Sequence, residues 1–252
     1  MPIALQAGLW GLLSGSALLL GAMVGWFVPL KQRAIAAIMA FGAGVLISAL
    51  SFELVDEAWR QGGFAPVAGG FLFGALVYTL ANYWLSHRGA RHRKRSRNEK
   101  RETQVRKHPD NSSALALGAL LDGVPESIVI GVSLLEGGAV ALVAVIAVFL
   151  SNIPEGLSSA AGMKAEGKRA FGVFTLWGMI ALVSGVSAAL GYILFAGVAP
   201  EGIAFVQAVA AGAILTMIVD TMVPEAFEGT HDFAGLISVA GFLAAFGLSH
   251  LA

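Results

Sequence analysis

Residues 6–29 contain no charged side chain, and runs of the same kind recur along the rest of the chain. A run of about 20 apolar residues can satisfy its whole backbone as a helix crossing a bilayer, and irregular structure cannot do so there. Eight such runs are read, at roughly 6–29, 34–57, 66–86, 113–135, 139–162, 171–196, 203–226 and 234–251. The expected fold class is therefore an all-α integral membrane protein with eight transmembrane helices. Charged residues make up 13% of the chain, where soluble domains carry about a quarter. The first run has no Lys or Arg before it and is too long for a signal-peptide core, so it is read as a retained span. The chain has no cysteine, which excludes disulfides and thiolate metal sites.

Cations orient the bundle. With eight spans both termini share one side, and the loops after spans one, three, five and seven share the other. Of the 16 Lys and Arg residues, only Arg60 falls on the side of the termini. The positive-inside rule puts the cation-bearing loops in the cytoplasm and both termini outside, most simply in a plasma or inner membrane. Segment 87–112 holds most of these cations, together with His87, His92 and His108. It is read as a disordered cytoplasmic loop. Anionic lipid attraction and transient metal capture are the functional alternatives for it. Without a recognition fold around it, nucleic acid is not an expected partner.

Two segments repeat. AGVLISALSFELVDEA at 43–58 resembles AGAILTMIVDTMVPEA at 211–226. In the topology above, the two lie in spans that cross in opposite directions. An inverted repeat is a recurrent feature of transporters, with the substrate site near the midplane.

The chemistry concentrates in two spans. The fourth carries Asp122-Gly-Val-Pro125-Glu126-Ser127, and the fifth carries Ser151-Asn152-Ile-Pro154-Glu155-Gly156. Asp122 and Glu126, like Ser151 and Glu155, are four apart and share a helix face. Pro125 and Pro154 donate no backbone hydrogen bond, so the carbonyls of Leu121 and Leu150 lose their usual partners. An acid at a helix centre costs about 2.5–3.5 kcal/mol to insert. No Lys or Arg lies inside any span to offset that cost. Protons or metal cations remain as the compensating charge. Glu53, Asp56 and Glu57 on the second span and Asp220 and Glu225 on the seventh are candidate pathway residues. Of these, Glu53 and Asp220 are expected to lie deeper. Asp56 and Glu57 are expected at the external interface, and Glu225 ahead of a cytoplasmic turn.

At these Pro-Glu segments the chain resembles the ZIP (Zrt/Irt-like protein) family of divalent metal transporters. The resemblance implies a 3+2+3 bundle. Residues 1–86 form the first repeat, 113–162 the central pair with the metal site, and 171–252 the inverted repeat. It implies a divalent metal as substrate, zinc by default and also Mn, Fe or Cd, with no organic cofactor and no enzymatic activity. The family usually has His-Asn-x-Pro-Glu-Gly on the fourth span. Here Asp122, Gly123 and Ser127 replace the histidine, asparagine and last glycine, and Ser151 replaces a His or Gln on the fifth. The sixth span carries Ser184 about where many members have a carboxylate, so one mainly oxygen-lined site is expected. Imidazole suits zinc, whereas carboxylate suits Mn, Mg and Ca, so a relaxed or Mn/Fe-shifted selectivity follows.

The expected route runs from Asp56 and Glu57 to a midplane site of Asp122, Glu126, Ser151, Asn152 and Glu155, then past the seventh-span acids into the cytoplasm. Metal displaces protons from the carboxyls on binding, which couples uptake to pH. Expected partners are metal cations and the lipid bilayer, with a homodimer left open. Two other readings are a non-transporting metal sensor and an intramembrane aspartyl protease using Asp122 and Asp220. The protease reading lacks the Gly-x-Gly-Asp and Tyr-Asp contexts it requires.

Overall fold

The computed structural model describes residues 2–85, 111–136 and 140–251. Segment 86–110 lies outside the described residues, and with it most of the expected cytoplasmic loop. The described chain is helical: α1 Ile3–Phe27, α2 Gln32–Ala49, α3 Asp56–Gly62, α4 Phe64–Leu85, α5 Asn111–Ser133, α6 Val140–Ala165, α7 Ala170–Phe195, α8 Pro200–Met217, α9 Val223–Thr230 and α10 Ala234–Leu251. Six helical runs among the described residues are long and apolar enough to cross a membrane. The longest, Pro200–His250, is interrupted at His231–Phe233, where His231 has φ 43°.

Local chemistry sets the ends. Pro200 opens α8 at a position where its missing N–H is not needed. Gly63 ends α3 at φ 69°. Gly167 follows α6 at φ 77°, with Gly167 N–H donating to the Lys164 carbonyl and Lys168 N–H to that of Met163. This is the left-handed closure that glycine tolerates best. Helices α5 and α6 run through Pro125 and Pro154 without a break. A π-helical turn, Leu50–Val55, joins α2 to α3, and another, Ile218–Met222, joins α8 to α9.

The helices group by close contact. α1 packs along α6 and α7, α5 along α7, α4 along α8, and α10 along α2. Small residues make this possible. An ideal Cβ on Gly21 or Gly25 would lie 2.1 Å from the Ile153 carbonyl oxygen or 2.2 Å from that of Leu157, which draws α1 onto α6 beside Pro154-Glu155. On the other side, a Cβ on Gly74 would meet the Val209 oxygen at 1.9 Å, and one on Gly241 the Phe41 oxygen at 2.1 Å. Outward faces are apolar: Phe171 is 83% exposed and Leu72 71%. A soluble protein seldom exposes so much contiguous apolar surface. At the end of α1, the Lys164 ammonium donates to the Trp26 carbonyl and sits 5.6 Å from the centre of its ring.

Close approach makes a packing prediction. A Cβ on Gly212 would lie 2.0 Å from the Phe71 carbonyl oxygen, whereas one on Gly178 would meet nothing within 4 Å. Gly212→Ala is expected to cost roughly 1–3 kcal/mol by forcing α8 from α4. Gly178→Ala should be neutral or slightly stabilising. Thermal unfolding of the two purified variants in detergent checks the contrast.

Candidate metal site

Both Pro-Glu segments face inward. Asp122, Glu126, Ser127, Ser151, Asn152 and Glu155 are all buried, none more than 4% exposed. Glycine explains part of the placement. A Cβ on Gly156 would lie 2.1 Å from the Leu18 carbonyl oxygen, so the glycine after Glu155 lets α1 press against the segment. Ser127, in the matching place on α5, folds its hydroxyl back to the Gly123 carbonyl at 2.7 Å.

Each candidate ligand has its own surroundings. Glu126 lines a narrow pocket with Leu46, Leu50, Val129, Val148 and Ile214, and so faces α2, α6 and α8 at once. Asp122 accepts a hydrogen bond at 2.6 Å from the hydroxyl of Tyr78 on α4. Asn152 donates through its amide to the Ser14 carbonyl on α1 at 3.1 Å. The Ser151 hydroxyl turns back to the Val148 carbonyl at 2.9 Å. Ser151, Glu155 and Ser158 continue the stripe of α6 on which Val148 faces Glu126. Ser184 on α7 lies opposite Gly123, its hydroxyl 3.8 Å from an ideal Cβ there.

The pathway candidates divide. Glu225 is 3% exposed and accepts a hydrogen bond from Ser158, one helical turn beyond Glu155. It thus belongs with the buried group as well as preceding the turn at 231–233. Glu53 is half-buried in the first π-helical turn and accepts from Ser249 on α10. Asp56 pairs with Arg60 at 2.7 Å, both partly solvent-exposed, and Glu57 accepts from Gln61 at 3.0 Å. Asp220 is exposed, while its neighbours Ile218 and Met222 in the second π-helical turn are buried. The depth expected of Asp220 is therefore not a position among the buried acids.

Among the described residues no Lys, Arg or His is buried beside these acids. Neither do three or more Asp, Glu or His side chains gather closely enough to hold a metal ion. The arrangement is a track of oxygens distributed over α5, α6 and α9. Charge-neutral donors approach it: the Tyr78 hydroxyl at Asp122 and the Ser158 hydroxyl at Glu225.

Sequence reasoning missed Tyr78, Ser158 and Ser14. Tyr78 was legible as a tyrosine well inside its span, away from the interfacial belt that Tyr83 and Trp84 fit. Ser158 follows Glu155 by one turn of the same face. Ser14 contributes only its carbonyl, for which a sequence carries no signal.

Burial also separates two polar contacts in cost. Ser158→Ala removes a hydroxyl donated to a buried carboxyl group and is expected to cost about 1–3 kcal/mol. Arg60→Ala removes an exposed ion pair and should cost under about 1 kcal/mol. Thermal midpoints of the two variants, measured side by side, check the order.

No family model matches the chain. Zinc transporter ZIP11 of Bos taurus is 26% identical to it, over 93% of this chain and 92% of that protein. Zinc transporter ZIP11 of Homo sapiens is 25% identical over the same shares. A provisionally named zinc transporter of Arabidopsis thaliana is 27% identical over 83% of this chain, a match that spans 32% of the plant protein. Named relatives along nearly the whole chain and paired Pro-Glu segments on two buried helices agree: the chain is similar to zinc transporters of the ZIP type.

Proposed function

We propose that this protein carries divalent transition-metal cations, zinc first, across a membrane through the carboxylates of α5 and α6. The observation that carries the reading is the burial of Asp122, Glu126 and Glu155 on the two Pro-Glu segments inside an apolar bundle. Acids at such a depth mark substrate or ion pathways. Metal transport is what the relatives are named for, and they are not enzymes. In the protease reading Asp122 and Asp220 would act together, yet one is buried against Tyr78 and the other is exposed.

The architecture proposed is eight spans in an inverted 3+2+3 bundle, with α2–α3 and α8–α9 each forming one span. A constant shift in number carries Gln32–Ala49 onto Pro200–Met217 and places the two π-helical turns in register. The contact of Gly74 with Val209 and that of Gly241 with Phe41 are counterparts under nearly the same shift. These correspondences support the repeat. Pro200–His250, at 51 residues, is long enough for two spans joined at His231. With the termini outside and segment 87–112 in the cytoplasm, the ion enters near Glu53, Asp56 and Glu57. It binds among Asp122, Glu126, Ser151, Asn152 and Glu155, and leaves past Glu225. Asp220 would assist from the surface of that exit. Uptake into the cytoplasm, in a plasma or inner membrane, is the direction proposed.

Selectivity follows from the donor set. Oxygen ligands in place of the family's membrane histidine weaken the preference for zinc over manganese and ferrous iron. Zinc still binds, because it accepts carboxylate ligands.

Purified protein in proteoliposomes is expected to take up zinc. Glu126→Ala and Glu155→Ala should each lose most of that flux, at least about tenfold, while folding normally. Zinc binding without flux in the wild type would identify a sensor, and normal flux in both variants would remove the site. Excess manganese or ferrous iron is expected to slow zinc uptake, and uptake indifferent to both would contradict the shifted selectivity.

A further inference from the structure

α4 lies along α8 and touches α5 only briefly, yet a buried polar contact joins α4 to α5. Tyr78 is 1% exposed and Asp122 3%, and the tyrosine hydroxyl donates to the aspartate Oδ1 at 2.6 Å. The tyrosine is held firmly. It belongs to the apolar cluster containing Leu50, Leu54, Val129 and Ile214, the residues that also wall the Glu126 pocket. One turn earlier, Gly74 seats α4 against the Val209 carbonyl of α8. The hydroxyl therefore comes from α4 and the carboxylate from α5, across the apolar cluster that includes Val129.

We propose that Tyr78 is a competitor built into the metal site, its hydroxyl holding Asp122 by an oxygen that a divalent cation must take over to use that carboxylate in full. The proposal rests on the transport reading above. An ionised carboxylate only accepts hydrogen bonds, and a hydroxyl only donates to it. A cation sharing Oδ1 would draw on the same electron density as the O–H dipole and be repelled by its positive end, so hydroxyl and metal weaken one another there. The bond is charge-assisted when Asp122 is ionised, and a charge-assisted bond is about twice as strong as a neutral one. Geometry agrees with this division. Tyr78 draws Asp122 toward α4, whereas Glu126 one turn on faces the pocket between α2, α6 and α8. No three acidic or imidazole side chains converge among the described residues. Use of both Asp122 oxygens alongside Glu126 thus sets the ion against Tyr78 for Oδ1. Exchange loosens α4 from α5 as the ion arrives, and a cation too weak to displace the hydroxyl is held by fewer ligands.

The opposite role is well defined. A hydroxyl that merely orients a metal ligand strengthens binding, and losing it typically costs 10–100-fold in affinity. The two roles predict opposite signs.

The test compares wild type, Tyr78→Phe, Asp122→Asn and the double variant, by zinc flux into proteoliposomes and by the zinc-induced rise in thermal midpoint of the purified protein. Tyr78→Phe is expected to lower KM for zinc about three- to tenfold without raising kcat, and to saturate the thermal shift at correspondingly lower zinc. In the Asp122→Asn background the same substitution should change neither quantity. Tyr78→Met, which also lacks the hydroxyl, serves if the phenylalanine variant does not fold. An unchanged or raised KM, or an equal effect with Asp122 absent, would overturn the proposal. A wild type with a zinc-dependent thermal shift but no flux would end the transport reading alone, and the thermal shift would still decide the sign of the Tyr78 effect.

Discussion

Acidic side chains buried in an apolar interior are the constraint on which this structure depends. Asp122, Glu126, Glu155 and Glu225 are almost fully buried, and no basic side chain is buried with them among the described residues. A soluble protein would place an arginine there or leave the acids out. Here neutral donors approach instead: Tyr78 to Asp122 and Ser158 to Glu225. Hydroxyls stabilise a carboxylate without cancelling its charge. In the proposed transport reading, that leaves the site an affinity for cations that a salt bridge would remove.

That electrostatic arrangement needs tight packing around it. Water would screen the carboxylates and weaken any interaction they make. Glycines at Gly21, Gly25 and Gly156 bring α1 and α6 into backbone contact beside Glu155, and Gly74 and Gly212 do the same for α4 and α8 beside Tyr78. Small residues at helix contacts and acids at the centre are thus linked features of one design.

The path from residues to site was uneven in its legibility. Long apolar runs were readable because a backbone in lipid has few ways to satisfy itself, and α1, α4 and α7 follow the expected limits within a few residues. Two features were hidden. The π-helical turns at Leu50–Val55 and Ile218–Met222 leave no signature that periodicity detects. They sit close to Glu53 and Asp56 and to Asp220 and Glu225, of which Asp220 is exposed and Glu225 buried. The other hidden feature is the pairing of distant side chains. Nothing in the order of residues couples Tyr78 to Asp122 or Asn152 to Ser14.

By itself the sequence determined that this chain belongs in a bilayer, that the acids of its two Pro-Glu segments have no neighbouring cations along the chain, and that those paired segments mark its centre. Those properties are local, because hydropathy, charge and proline chemistry act within one helix. Only the tertiary structure decided which acids share the interior, which neutral groups hold them, and that Asp122 and Glu126 on one face meet different partners. Those outcomes depend on how each helix is rotated about its axis against its neighbours, and close glycine contacts from remote parts of the chain set that rotation.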